Sequence, residues 1–139
     1  MDLETVKSKL HAMNFRLTQE REWVLRVFME SGEMFTAMQL YDRVKEQYNK
    51  VGLTTVYRLF EVLTKLRLVT PFLIDGEIYY TFCQGGHHHH FVCLDCHRVK
   101  NIYGCEMDTR DFADLGKVEY HRMDLFGHCE NCQGSVSSC

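Results

Sequence analysis

The sequence predicts an α+β chain of two modules: an N-terminal helical module closed by a β-hairpin, and a smaller α/β module built around four cysteines. Three observations carry this. Apolar residues recur at helical spacing through Leu66 and then give way to short β-prone runs. Asp75-Gly76 stands between Phe72-Leu73-Ile74 and Ile78-Tyr79-Tyr80, a two-residue hairpin signal. Met1 to Phe82 contains no cysteine and only His11, whereas the rest of the chain is rich in both residue types.

The elements follow in order. Residues 2–13 predict a first helix. Thr18 precedes a run with Trp23, Val24, Val27 and Phe28 on one face. Thr36-Ala37-Met38-Gln39 has the form of a capping box, opening a helix whose Leu40, Tyr41 and Val44 share a face. A further helix starts near Thr54 with Val56, Leu59, Phe60, Leu63 and Leu66 inward, leaving Thr55, Tyr57, Arg58, Glu61 and Lys65 on other faces. Pro71, the only proline, closes the helical region, and the hairpin follows. Three helices and then a hairpin is the order of a winged helix-turn-helix domain, whose third helix lies in the major groove of DNA. Gln84-Gly85-Gly86 is the expected hinge, which places a winged-helix domain at 1–83 and a second domain at 87–139. In that second domain, 88–94 and 98–102 read as strands, 106–115 as a helix and 118–126 as a longer strand.

At 139 residues, 45% hydrophobic and 25% charged, the composition is that of a soluble globular protein. No apolar run approaches the ~18 residues of a membrane span, and the N-terminus lacks the basic and apolar stretches of a signal peptide. A cytoplasmic chain with no membrane partner is expected, so clustered cysteines point to metal rather than disulfides. The net charge of −3 is unevenly spread. Residues 1–70 carry 11 Lys+Arg against 9 Asp+Glu, and residues 71–139 carry 5 against 10. A slightly basic module followed by an acidic, cation-collecting one is the reading.

The strongest chemical signal is Cys93-Leu94-Asp95-Cys96 with Cys129-Glu130-Asn131-Cys132. Each Cys-x-x-Cys turn places two thiolates about one tetrahedral edge apart, and two turns complete a structural zinc site. Next comes His87-His88-His89-His90. On a strand, side chains alternate, so His88 and His90 share one side while His87 and His89 share the other. One strand can thus serve two metal sites. Cys83 could complete a site with His88 and His90, and thiolate plus imidazole suits zinc better than harder ions. Asp108 and His121 could join His87 and His89. No positioned general base stands beside these ligands, so neither an enzyme nor a small-molecule substrate is expected.

These motifs together resemble the ferric uptake regulator family, and within it the zinc uptake regulators. The resemblance rests on Arg16-Leu17-Thr18-Gln19-Glu20-Arg21, on Gly52-Leu53-Thr54-Thr55-Val56-Tyr57-Arg58, on His87 to Cys96, and on Phe126 to Cys132. It implies a C-terminal α/β dimerisation domain and a homodimer that binds palindromic, double-stranded operator DNA when loaded with metal. By the same resemblance, Cys93, Cys96, Cys129 and Cys132 match the structural zinc ligands. Cys83, His88 and His90 match the sensing site, and His87, His89, Asp108 and His121 an auxiliary site. Two to three zinc ions per chain follow. Tyr57 and Arg58 match DNA-contacting positions, and Thr54 and Thr55 are expected to join them at bases and phosphates.

The chain departs from the iron- and peroxide-sensing pattern in two places. It has Glu33-Met34 where a histidine is usual, and Cys83 where a carboxylate is usual; both favour zinc. Thr70-Pro71 stands where some zinc regulators supply an aspartate, which leaves the fourth sensing ligand open among Asp75, Glu77, Glu33 and water. The alternatives are an iron, manganese or peroxide regulator of the same family, or a zinc-buffering protein without DNA binding.

Overall fold

The computed structural model describes residues 1–132; Cys139, to which the sequence assigns no partner, lies outside them. The chain divides into two compact units, Met1–Gly85 and Gly86 onward. Gly85 and Gly86 both adopt positive φ (89° and 76°), the left-handed region that favours glycine.

In the first unit, α1 (Leu3–Ala12), α2 (Gln19–Ser31), α3 (Ala37–Lys45) and α4 (Leu53–Lys65) surround one apolar core. Their starts are written locally. Asp2 caps α1 through the Thr5 N–H at 2.8 Å, and Thr18 caps α2 through the Arg21 N–H at 3.3 Å. Thr36 and Gln39 form the reciprocal capping box of α3. Gly32, at φ 64°, ends α2 in the left-handed conformation. Phe28 sits at the centre, edge-on to Phe60 (5.2 Å), Phe82 (6.1 Å) and Phe35 (6.3 Å). These offset geometries suit the ring quadrupole.

The hairpin is β2 (Val69–Ile74) and β3 (Glu77–Phe82), joined at Asp75 and Gly76 with both φ positive, as a type I′ turn demands. The short β1 (Phe35–Thr36) adds a third strand, giving the order β1-β3-β2. Pro71 lies inside β2 rather than before the sheet, and is tolerated there because β2 is an edge strand.

The second unit is a three-stranded sheet, β5-β4-β6, with β4 (His89–Cys93) in the middle. β5 (Val99–Ile102) is antiparallel to it and β6 (Asp124–Gly127) parallel. Two expectations for this unit need correction. The helix expected over 106–115 is a 3-10 helix, Thr109–Leu115, kinked at Phe112 and burying no residue. Its large apolar residues, Phe112 and Leu115, are 42% and 78% exposed, so within this chain no packing supports a regular α-helix there. The strand expected over 118–126 is ordered only as β6. In the parallel register His90 faces Asp124, so a longer β6 would have to pair with residues preceding His89. β4 begins only at His89, so residues 118–122 have no partner on it.

Candidate metal centres and nucleic-acid interface

Cys93 ends β4, Cys96 follows one turn later, and Cys129 and Cys132 form a second turn just after β6. Because β4 and β6 are paired and parallel, with Cys93 opposite Gly127, both turns emerge at the same end of the sheet. All four sulfurs lie within 4.8 Å of one another, with Cys93–Cys132 at 3.6 Å, Cys96–Cys129 at 3.9 Å and Cys129–Cys132 at 3.4 Å. The turns are locked before any ion is considered. Leu94 N–H donates to the Gly127 carbonyl (2.8 Å), Cys129 N–H to Cys93 Sγ (3.3 Å), and His128 Nδ1 pairs with Asp95 across the two turns (2.5 Å). Burial opposes ionisation of Cys93, but the N–H groups of Cys96, Cys129 and Asp95 outweigh it and bring the thiol down to about 6. Burial, reinforced by Cys93 and Cys129, raises Cys96. Four sulfurs at tetrahedral-edge spacing with one ready thiolate fit a structural zinc ion.

The histidine run alternates as a strand requires. His88 and His90 rings are 4.7 Å apart on one side, and His87 and His89 are 4.7 Å apart on the other. On the first side each Nδ1 is engaged within the second unit: His88 with the Gly86 carbonyl at 3.0 Å, His90 with Asp124 at 3.2 Å. For His88 this leaves Nε2 as the nitrogen able to ligate, and that atom is buried with no hydrogen-bond partner. Such an orphaned acceptor costs free energy unless something binds it. Desolvation lowers the pKa of His90, so its ring is neutral near pH 7 despite Asp124.

Cys83 ends the hairpin of the first unit. It is buried, and its sulfur lies 3.1 Å from the Thr70 hydroxyl. Asp75 and Glu77 are corrected as candidate partners: Glu77 lies six residues from Cys83 along an extended strand, roughly 20 Å away. Glu33 is paired with Arg43 at 3.5 Å.

On the second side the gathered residues are His87, His89, His121 and Cys105, whose ligand atoms lie within 4.8 Å of one another. Asp108 is not among them, which corrects its assignment. Its carboxylate accepts from Arg110 Nε at Oδ1 (3.0 Å) and from Arg110 Nη2 at Oδ2 (2.7 Å), a bidentate pair, and caps the 3-10 helix through the Arg110 N–H. Spacing could not reveal Cys105, because it meets His121 (3.2 Å) across 16 positions of the chain. Asp124 was missed as well. Its link to His90 depends on the parallel β4–β6 register, which no local pattern announces.

On α4, Val56, Leu59, Phe60 and Leu63 are buried, while Thr54, Tyr57 and Arg58 are exposed and Thr55 half-buried. Tyr57 is 52% exposed, which leaves its ring and hydroxyl on the outer face of α4. No helix among the described residues is long and apolar enough to cross a membrane.

Known proteins agree with this architecture. A sequence model of the ferric uptake regulator family matches residues 12–126. The ferric uptake regulation protein of Bacillus subtilis (strain 168) is 34% identical, with 95% of each chain covered. That of Synechococcus elongatus is 28% identical, again with 95% of each covered. Among solved structures, the ferric uptake regulator of Helicobacter pylori superposes with a TM-score of 0.68 at 22% identity, covering 97% of this chain and 93% of that one. A zinc uptake regulator complexed with zinc and DNA superposes at 0.69 with 24% identity, covering 94% and 91%. The structural matches speak for the fold; the family match and the Bacillus relative settle membership. The chain therefore belongs to the ferric uptake regulator family, whose members are metal-responsive transcriptional regulators and not enzymes.

Proposed function

We propose that this protein is a zinc-responsive repressor that binds palindromic operator DNA as a homodimer when its sensing site is loaded. The observation that carries the choice of metal is the donor chemistry at the junction of the two units. A buried cysteine, Cys83, closes the first unit, and the second opens with His88, whose buried Nε2 has no partner. Thiolate and imidazole donors favour zinc over iron(II) and manganese(II).

In this reading Cys83, His88 and His90 hold the ion, which when bound links a thiolate of one unit to imidazoles of the other. The residues do the rest. Asp124 and the Gly86 carbonyl hold the two rings by their Nδ1 atoms, and Thr70 holds the Cys83 sulfur. Thr54, Thr55, Tyr57 and Arg58 of α4 meet the major groove, Arg58 with a fork suited to guanine or phosphate. Fixing the two units relative to each other would set the spacing of the two recognition helices of the dimer, which must match half-sites a helical turn or a multiple apart. Metal and operator affinities are then coupled reciprocally. Cys93, Cys96, Cys129 and Cys132 supply structure and sense nothing.

A second reading, an iron-responsive regulator, is favoured by the relatives in Bacillus and Synechococcus, both of which are ferric uptake regulation proteins. Operator binding measured with zinc, iron(II) and manganese(II) side by side separates the two. Zinc is expected to give the response at the lowest free concentration, and Cys83→Ser to abolish it in a protein that remains folded. Full zinc-dependent binding by Cys83→Ser, or a stronger response to iron(II), rejects the zinc assignment.

A further inference from the structure

The four-cysteine cluster is not held equally at its four corners. Cys93, Cys129 and Cys132 are buried, whereas Cys96 is only half-buried. The N–H groups of Asp95, Cys96 and Cys129 converge on the Cys93 sulfur, while the Cys96 sulfur receives that of Arg98. The backbone bond that joins the two turns, Leu94 N–H to the Gly127 carbonyl at 2.8 Å, lies on the Cys93 side of the first turn. His97, the residue after Cys96, sits at φ 60°, in the left-handed region that strains any residue carrying a Cβ. A side-chain tie opposes this weakness. Asp95 and His128 immediately precede Cys96 and Cys129, and Asp95 Oδ2 meets His128 Nδ1 at 2.5 Å across 33 positions of the chain. Their side chains are 42% and 58% exposed, so the pair lies outside the buried cluster.

We infer that Cys96 is the first ligand to leave when the staple loses its zinc, and that Asp95 and His128 are positioning residues whose link delays that step. While the two are joined, the far end of the first turn is held against the second, and a Cys96 thiolate that lets go is returned to the ion. Once they part, the strain at His97 favours movement of the turn away from it. The other three sulfurs are anchored by burial and follow later. The staple thus opens at one defined end, and two residues that never touch the ion set how long it stays.

This inference rests on the reading of the four cysteines as a structural zinc site. Zinc-loaded full-length protein is mixed with excess chelator and pulsed with N-ethylmaleimide at intervals, and each cysteine is followed by peptide mass spectrometry. Cys96 should be labelled before Cys93, Cys129 and Cys132. Asp95→Ala and His128→Ala should each speed its labelling by about two- to fivefold, the range a partly exposed ion pair supplies. The double variant should be no faster than the faster single one, because the two residues act through one contact. His128→Asn keeps a donor near the place of Nδ1 and should be slower than His128→Ala. Protection of all four thiols before the chelator is added verifies that each variant is folded and loaded. Simultaneous labelling, an earlier Cys93, Cys129 or Cys132, unchanged rates in both alanine variants, additive effects in the double variant, or a His128→Asn protein as fast as His128→Ala would each overturn the inference while leaving the zinc site standing. Four thiols already labelled in zinc-loaded wild type without chelator would instead reject the zinc site, and the inference with it.

Discussion

Replacing Asp124 tests how far the proposed sensing site is built by residues that never touch the metal. Asp124 opens β6, directly opposite His90 on β4, and one carboxylate oxygen lies 3.2 Å from His90 Nδ1 while the other pairs with Arg122. The His90 side chain is 5% exposed and that of Asp124 13%, so water can do little to replace the bond. A hydrogen bond to a charged group in such surroundings contributes about 1.5–3 kcal/mol. At about 1.4 kcal/mol per decade, that corresponds to roughly 10- to 100-fold in zinc affinity, the range typical for loss of a ligand's outer partner. A competing effect has to be weighed. The carboxylate raises the pKa of His90, so its removal lowers proton competition and would favour binding. Desolvation already holds that pKa below its ordinary value, however, and near pH 7 there is little proton competition left to relieve. Orientation therefore wins, and Asp124→Ala is expected to weaken zinc by 10- to 100-fold. Asp124→Asn keeps an acceptor oxygen without the charge and should lose about half as much free energy. Zinc competition against a chromophoric chelator gives the affinity, and far-ultraviolet circular dichroism checks the fold. A folded Asp124→Ala protein within twofold of wild type would refute the reasoning.

The same geometry supports further expectations. Cys96→Ser should cost the protein one zinc and unfold the second unit, because the buried cluster at that end consists of Cys93, Cys129 and Cys132 with Phe91 and Cys96 packed on it. Structural zinc in small domains carries of order 10 kcal/mol of folding free energy; metal analysis with limited proteolysis would show a retained first unit, and an intact second unit would contradict the staple. Phe28→Ala should destabilise the first unit by about 3–5 kcal/mol in denaturant titration, because the ring is fully buried among Phe35, Phe60 and Phe82; a loss below about 1 kcal/mol would show that the site collapses freely. Glu22 bonds Arg26 (2.8 Å) and reaches across to Lys7 of α1 (3.2 Å), and hydrogen bonds from both cations, Arg26 first, lower its pKa. The folded value lies below the unfolded one, so this contribution is fully present above about 4.5 and is lost as the pH falls through the depressed folded value. Glu22→Gln should therefore be less stable than wild type by about 0.2–1 kcal/mol at pH 7, with the difference vanishing in acid; a difference that persists there would argue against the ion pairs.

Much of this protein is local and was legible in its sequence. Helix starts are set by Thr18 and Thr36, whose hydroxyls reach backbone three residues on. The hairpin follows from Asp75-Gly76, since few residue pairs tolerate two positive φ values in succession. Strand alternation alone separates His88 and His90 from His87 and His89. The paired Cys-x-x-Cys turns announce four sulfurs, because a turn of that length holds two of them together wherever it occurs.

What the sequence withheld depends on residues far apart in the chain. The parallel β4–β6 register brings both cysteine turns to one end of the sheet and sets Asp124 behind His90, 34 positions away along the chain. β4 begins only at His89, so β6 has no partner on it over 118–122 although those residues are β-prone. Cys105 meets His121 across 16 positions, while Arg110, two residues away, draws Asp108 off. Composition supplies the donors of the zinc-class chemistry, but only tertiary contact decides which sulfur and which carboxylate stand beside which ring.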